Sequence, residues 1–325
     1  MKKNLLICMA MMSILIVSAC GEKAQPAASP QQSTASQPAA TTQTNTAAQP
    51  TGSSGDKAVA KEPRIASVSI HLTNDLLALG IAPVGSVIGG DLKAFLPHVA
   101  DRLKNTKPLG VVTDPDMETL LSLKPEVIYL DQQYAGKDIA KYEKIAKTEV
   151  FNLDDGTWRD QVKKIGKLVS REQQADDFVK AYQAQTERVK ALVNNKIGNG
   201  TVMAVRVTAK ELRVFSTRRP MGPFLYEDLG LKPAKGVDKI SKDKAFEVIS
   251  QEVLPDYDAD AIFIVLNKED GAQKLYQQLQ TSPIWQGLKA VKANHIYVVP
   301  EQPWLDYSAM GAKMAMDDAE KIFTK

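Results

Sequence analysis

Cysteine, histidine and net charge are all scarce in this 325-residue chain, and each shortage removes a class of function. It has two cysteines and three histidines. Cys8 lies inside an apolar run at the start of the chain and Cys20 just after it, so a chain processed at that point keeps one thiol. A single thiol allows no internal disulfide and no thiolate metal site. His71, His98 and His295 are far apart, with neither His-x3-His nor His-Glu-x-x-His spacing, which argues against a protein-built metal centre. The formal charge is +3; removing Lys2 and Lys3 leaves +1 (3 − 2), too little for nucleic acid or a polybasic membrane surface. No Gly-x-Ser-x-Gly, P-loop or Gly-x-Gly-x-x-Gly is present. Ser241-Lys242-Asp243-Lys244 satisfies Ser-x-x-Lys, which keeps a secreted serine hydrolase as a remote alternative.

The one long apolar run, Leu5 to Val17, follows Lys2 and Lys3 and precedes Val17-Ser18-Ala19-Cys20. This order reads as a signal peptide over 1–19. The final tetrapeptide is similar to a bacterial lipobox, which implies lipidation of Cys20. From there to residue 62 the chain is Ala, Gln, Ser, Thr and Pro with few large apolar residues, a disordered tether with an r.m.s. reach of about 35 Å.

The folded body begins near Pro63. Glu172 to Asn195 carries apolar or small residues at Ala175, Phe178, Tyr182, Val189 and Leu192, predicting one helix of roughly 35 Å. On either side, short β-type runs alternate with helical ones, as in α/β lobes with mainly parallel sheets. The reading is therefore two Rossmann-like α/β lobes, 63–170 and 196–325, bridged by a long rigid helix over 171–195. Within the lobes, Arg64–Ile70, Ile81–Val87, Thr201–Val207 and Leu212–Phe215 read as strands, His71-Leu72-Thr73 as a turn, and Ser282 to Ala293 as one helix. Lys244 reads as opening a helix that carries Glu247.

Candidate binding residues follow from where ligand crevices form in such sheets, outside the carboxyl ends of the strands. Lys93 lies in a loop after Gly89 and Gly90. Arg206 interrupts the apolar strand Val202–Val207, and a buried arginine needs an anion, either a ligand or an internal carboxylate. Arg218 and Arg219 form a basic loop; Trp304 and Tyr307 follow the last strand. Glu118 and Glu252 hold matching places in the two halves, each opening a short helix before an apolar strand. Either complements a helix dipole, or the pair grips a two-fold partner at two points.

Pro115-Asp116-Met117-Glu118, Leu123-Lys124-Pro125-Glu126-Val127-Ile128, Leu225-Tyr226-Glu227-Asp228-Leu229-Gly230, Gln251-Glu252-Val253-Leu254-Pro255-Asp256 and Pro283-Ile284-Trp285, together with the lipobox and tether, resemble the iron-siderophore substrate-binding lipoproteins of ABC importers. The resemblance spans residues 63 to 325. It implies a class III periplasmic binding protein that acts as a monomer, makes and breaks no bond, and is lipid-anchored at Cys20 to the outer face of a Gram-positive cell membrane. It further implies no resident cofactor: the ligand is an Fe(III)-siderophore, delivered to an ABC permease dimer with its ATPase by docking through Glu118 and Glu252. Arg206 and Lys244 match a strand arginine and a lysine that reach the siderophore in catecholate-binding relatives, and with the residues read above the expected ligand-contact set is Arg206, Trp304, Lys244, Arg218, Tyr307, Gln133, His71 and Lys93. Catecholate-binding relatives carry further basic groups where this chain has Val112, Gln133 and Thr208, so a hydroxamate or citrate-hydroxamate is favoured over a catecholate. Haem and corrinoid binders on the same scaffold are the alternative.

Overall fold

The computed structural model describes residues 62–90, 93–135, 138–241 and 243–324. The signal segment, Cys20 and all of the tether but Glu62 lie outside the described residues. Glu62 is ion-paired with Arg171.

Two six-stranded sheets flank one long helix in sequence. The first sheet runs β4-β3-β2-β1-β5-β6, with β1 Ile65–Val68, β2 Gly85–Ile88, β3 Lys107–Val111, β4 Asp114–Pro115, β5 Val127–Asp131 and β6 Lys147–Phe151. Every pairing is parallel except β3 with the edge strand β4. The chain winds outward from β1 on one side and from β5 on the other. The crevice of an open sheet of this kind therefore lies above the ends of β1 and β5. In the second sheet, β7 Thr201–Val207, β11 Ala261–Leu266 and β12 Ile296–Val299 are parallel, while β8 Leu212–Phe215 and β10 Phe246–Ile249 extend it antiparallel. The short β9, Lys232–Pro233, pairs with β7. Buried runs such as Ala261–Val265 are what strands covered on both faces require.

The connecting helix, Glu172–Ile197, buries Ala175, Val179, Tyr182, Val189, Val193 and Ile197. Its first half packs with the core of the first sheet and its second half with that of the second. The Tyr182 hydroxyl near its middle donates to Asp228 at 2.6 Å, so the rod is pinned by a polar contact as well as by apolar packing.

Three local readings are corrected. Lys244 precedes a strand rather than a helix: Phe246 to Ile249 pair residue by residue with β8, and an open sheet edge outweighs weak local helix preference. His71, Leu72 and Thr73 are the first turn of the helix Ile70–Ala78, capped by Ser69. The helix expected over Ser282 to Ala293 is two short ones, Pro283–Gly287 and Lys289–Lys292, separated by Leu288 in an extended conformation.

The C-terminal helix, Ala309–Thr324, belongs to both bodies. Ala312, Ala315, Met316, Ala319 and Phe323 join the second core, while Ala309 and Met310 pack against the first lobe. Its start is fixed by two buried carboxylates. Asp75 accepts from the Ala309 N–H at 2.7 Å, and Asp306 accepts from the Ser308 N–H at 3.1 Å. Asp306 also accepts from Asn74 Nδ2 at 2.7 Å and lies 3.1 Å from His71 Nδ1 and 3.2 Å from His98 Nε2. His71, Asn74 and Asp75 share one helix face at the spacing of three and four residues.

These two carboxylates sit in opposite electrostatic states. Burial alone would raise the Asp306 carboxyl, but hydrogen bonds from His71 and His98 and their charge hold it well below the usual carboxylate range. Burial raises Asp75, its Ala309 hydrogen bond opposes the rise, and the nearby Asp306 charge adds to it. Asp306 thus favours the fold above the unfolded carboxyl pKa of about 3.9, and that contribution is lost as pH falls through its depressed folded value. Asp75 has the other sign, favouring the fold at low pH and losing that contribution as pH rises. Asp306→Asn is expected to destabilise the protein at pH 7 by about 3 kcal/mol and to flatten the acid limb of stability against pH. Asp75→Asn keeps the acceptor and is expected to leave stability at pH 7 unchanged or higher; denaturant unfolding across pH 3–8 checks both. Gly311→Ala would drive a Cβ into the Asp306 carbonyl oxygen and is expected to cost about 1–3 kcal/mol in the same assay.

Candidate functional site

The carboxyl ends of the two sheets are joined by side chains that cross between them. From the first lobe come His71 just after β1, Asp131 at the end of β5 and Asp154 after β6. From the second come Arg206 at the end of β7, the loop Ser216–Pro220 after β8, and Asn267 and Glu301 after β11 and β12.

One line of contacts runs across the middle. His71 stacks on Tyr307 with ring centroids 3.7 Å apart, and the Arg219 guanidinium lies over the other aromatic partner's ring, 4.1 Å from the Tyr307 centroid. Arg219 then forms an ion pair with Asp154, and Arg218 reaches the same carboxylate at 3.3 Å. Burial holds the Tyr307 phenol well above its ordinary pKa, so it stays neutral. Asp131, buried beside this line, is raised by burial, against the pull of its Gln133 hydrogen bond and of His71 and Arg219. Further along, Arg159 donates to Asp228 at 2.6 Å and lies over the rings of Trp158 and Tyr182.

A cavity of about 130 Å³ lies along this seam, bordered by His71, Trp158, Arg159, Arg219, Trp304 and Tyr307 among others. Trp304 is only 3% exposed and packs edge-on against Phe224. Its Nε1 has no hydrogen-bond partner, nor has Arg219 Nη1, though both are buried. Buried donors without acceptors are uncommon, and each costs about 1–3 kcal/mol. The two residues that carry them both border the cavity, and a guest that brings acceptor oxygens would suit these donors once the seam opens.

Arg206 is placed differently. It projects on the same strand face as Val202 and Ala204 but lies at the strand end, where Nε donates to Asn267 Oδ1 at 2.9 Å and Nη2 pairs with Glu301. Lys93 is exposed in the loop after β2. Gln133 is exposed, its backbone N–H donating to Asp131 at 2.9 Å. Lys244 is exposed, with its carbonyl accepting from Ser216 Oγ at 2.8 Å. The cavity wall therefore brings together His71, Trp304, Tyr307 and Arg219, while Arg206, Arg218, Gln133, Lys93 and Lys244 sit outside it. Ser241 Oγ accepts from the Asp243 N–H at 3.4 Å and is exposed.

Glu118 and Glu252 are exposed, each in the first turn of a short helical segment that leads to a central strand, β5 or β11. Asp116 caps the first segment by accepting from the Thr119 N–H at 2.9 Å. A hydrogen bond from Ser250 holds the Glu252 carboxyl below its ordinary value.

Asp154, Glu301, Asp306 and Arg159 were not singled out by sequence reasoning. Asp306 left one trace: a carboxylate in the otherwise aromatic and aliphatic stretch Trp304-Leu305-Asp306-Tyr307. Among the described residues no helix is long and apolar enough to cross a membrane, and no group of three or more His, Cys, Asp or Glu is disposed to hold a metal ion.

Comparison with known proteins gives the same assignment by independent routes. A family model described as periplasmic binding protein matches residues 65–303. The probable siderophore-binding lipoprotein YfiY of Bacillus subtilis is 30% identical, the alignment covering 100% of this chain and 99% of the relative. The iron(3+)-hydroxamate-binding protein YxeB of the same organism is 28% identical, over 98% and 95% of the two chains. Among solved structures, Staphylococcus aureus SirA complexed with staphyloferrin B superposes with a TM-score of 0.71 at 26% identity, covering 81% of this chain and 94% of that one. Two mainly parallel sheets bridged by one helix are the fold these proteins share, and binding rather than bond-making is what the family does. The chain belongs to the periplasmic binding protein family and is a binding protein, not an enzyme.

Proposed function

We propose that this protein is the lipid-anchored receptor of an ABC importer, that it captures a ferric siderophore of hydroxamate or citrate-hydroxamate type between its lobes, and that it passes the complex to a permease dimer. The observation that carries the reading is the seam itself: two sheets turn their carboxyl ends toward each other, and Trp304 Nε1 and Arg219 Nη1 stand there buried without acceptors. Hydroxamate and carboxylate oxygens on a preassembled iron complex would supply acceptors, with Tyr307 and Trp304 giving apolar surface to the organic scaffold.

Small-molecule sites usually enclose about 300–1,000 Å³, more than the cavity of about 130 Å³ at the seam. Ligand entry then requires the Arg219–Asp154 contact to open and the lobes to part, with the connecting helix limiting how far. The names of the relatives support the ligand class. The chain's lipobox-like start supports export and anchoring at Cys20. Exposed Glu118 and Glu252, in equivalent first turns of the two lobes, are the points offered to a two-fold permease.

Intrinsic-fluorescence titration with ferric hydroxamates, ferric citrate-hydroxamates, ferric catecholates and haem tests the ligand. Quenching by a hydroxamate-containing complex, with no response to the iron-free chelator, is the expected result; silence to every ferric complex, or a haem absorption shift instead, overturns the reading. Arg219→Ala is expected to weaken the bound complex by about 10- to 100-fold. For docking, Glu118→Ala and Glu252→Ala are expected to keep siderophore affinity while iron uptake by cells falls; uptake at the unmodified level in the double variant would remove the docking assignment.

A further inference from the structure

Four arginines near the seam are already paired with carboxylates of the same chain. Arg219 and Arg218 meet Asp154 across the seam, and Arg159 meets Asp228. Arg206 differs because its carboxylate comes from its own sheet: Glu301, two residues beyond β12, in the strand order β7-β11-β12. Asn267, just after the intervening β11, holds the same guanidinium through Nε. The three groups therefore sit on three adjacent strand ends and move as one body when the lobes part. Arg206 is 22% exposed and Glu301 26%, so solvent reaches the pair while much of it is shielded; it lies outside the present cavity wall, and a ligand larger than that cavity would come beside it once the lobes part.

We propose that Glu301 is a specificity-determining residue that selects ligands by charge. Resting on the siderophore reading above, the inference is that Glu301 occupies Arg206 as a built-in anion, so the cleft admits ferric complexes near electroneutrality and discriminates against polyanionic ones. A ferric tris-hydroxamate, in which three monoanionic ligands cancel Fe(III), can accept hydrogen bonds from the remaining guanidinium N–H groups while the pair stays intact. A ferric tris-catecholate carries three net negative charges. It must either displace Glu301 from Arg206, leaving a half-buried carboxylate facing an anion, or bind beside it against repulsion. Arg206 alone would favour anions; the pair is close to neutral.

The test compares ferrichrome, a neutral ferric tris-hydroxamate, with ferri-bacillibactin, a trianionic ferric tris-catecholate, by titration against the full chain. The selector predicts that the unmodified protein binds ferrichrome more tightly. It further predicts that Glu301→Gln raises the affinity ratio of ferri-bacillibactin to ferrichrome about tenfold, the effect of removing one unit charge near the ligand in a partly solvated cleft, while Glu301→Asp shifts it less than about twofold. A ratio unmoved by Glu301→Gln, or moved as far by Glu301→Asp, rejects the selector and leaves the siderophore reading standing. Tighter binding of ferri-bacillibactin by the unmodified protein also rejects it, with no variant needed. Failure of the unmodified protein to bind any ferric siderophore rejects both.

Discussion

A carboxylate buried at the join between the two bodies is the constraint on which the remaining geometry rests. Asp306 cannot stay ionised in that position without donors, and it draws them from distant parts of the chain: His71 and Asn74 on the first helix, His98 after β2, and the Ser308 N–H at the start of the last helix. Satisfying it fixes where the C-terminal helix begins. It also places the next residue, Tyr307, against the His71 ring. Tyr307 in turn seats Arg219, and Arg219 reaches Asp154 on the opposite lobe. The join and the seam are thus one continuous set of contacts.

The chemistry of the seam follows from how its charges are paired. A cleft that displayed bare arginines would bind anions broadly and would be hard to saturate selectively. Here Arg206 and Arg219 are each met by an internal carboxylate, yet Arg219 Nη1 and Trp304 Nε1 remain without acceptors. The seam therefore holds two buried donors without acceptors and arginines whose charge is already paired. That combination suits a metal chelate whose oxygens are partly negative while the whole complex is near neutral, and it needs no protein ligand to the iron. Opening the seam breaks exposed or half-exposed ion pairs, which contribute little on their own, whereas apolar packing on the connecting helix is retained.

Much of this architecture was legible in the sequence because it is written in local periodicity. The connecting helix, read as Glu172 to Asn195, runs Glu172–Ile197, and Thr201–Val207 and Leu212–Phe215 are strands at the bounds expected. The exposed first-turn positions of Glu118 and Glu252 could be seen as an internal repeat. What escaped was non-local. Lys244 to Ile249 reads locally as a helix start, and only the β8 edge makes it a strand. His71 looks like an ordinary turn histidine until Asp306, 235 residues away, is brought against its ring. Arg206 stood out as a cation in an apolar strand, but its partner, Glu301, lies 95 residues on in an unremarked turn.

A structure of the folded chain with a ferric hydroxamate bound would test the central claim most directly. The account predicts the iron complex between the ends of β1 and β5 on one side and β7, β11 and β12 on the other, Arg219 released from Asp154, and ligand oxygens accepting from Arg219 Nη1 and Trp304 Nε1. A complex seated elsewhere on the protein, with the Arg219–Asp154 contact intact, would contradict it.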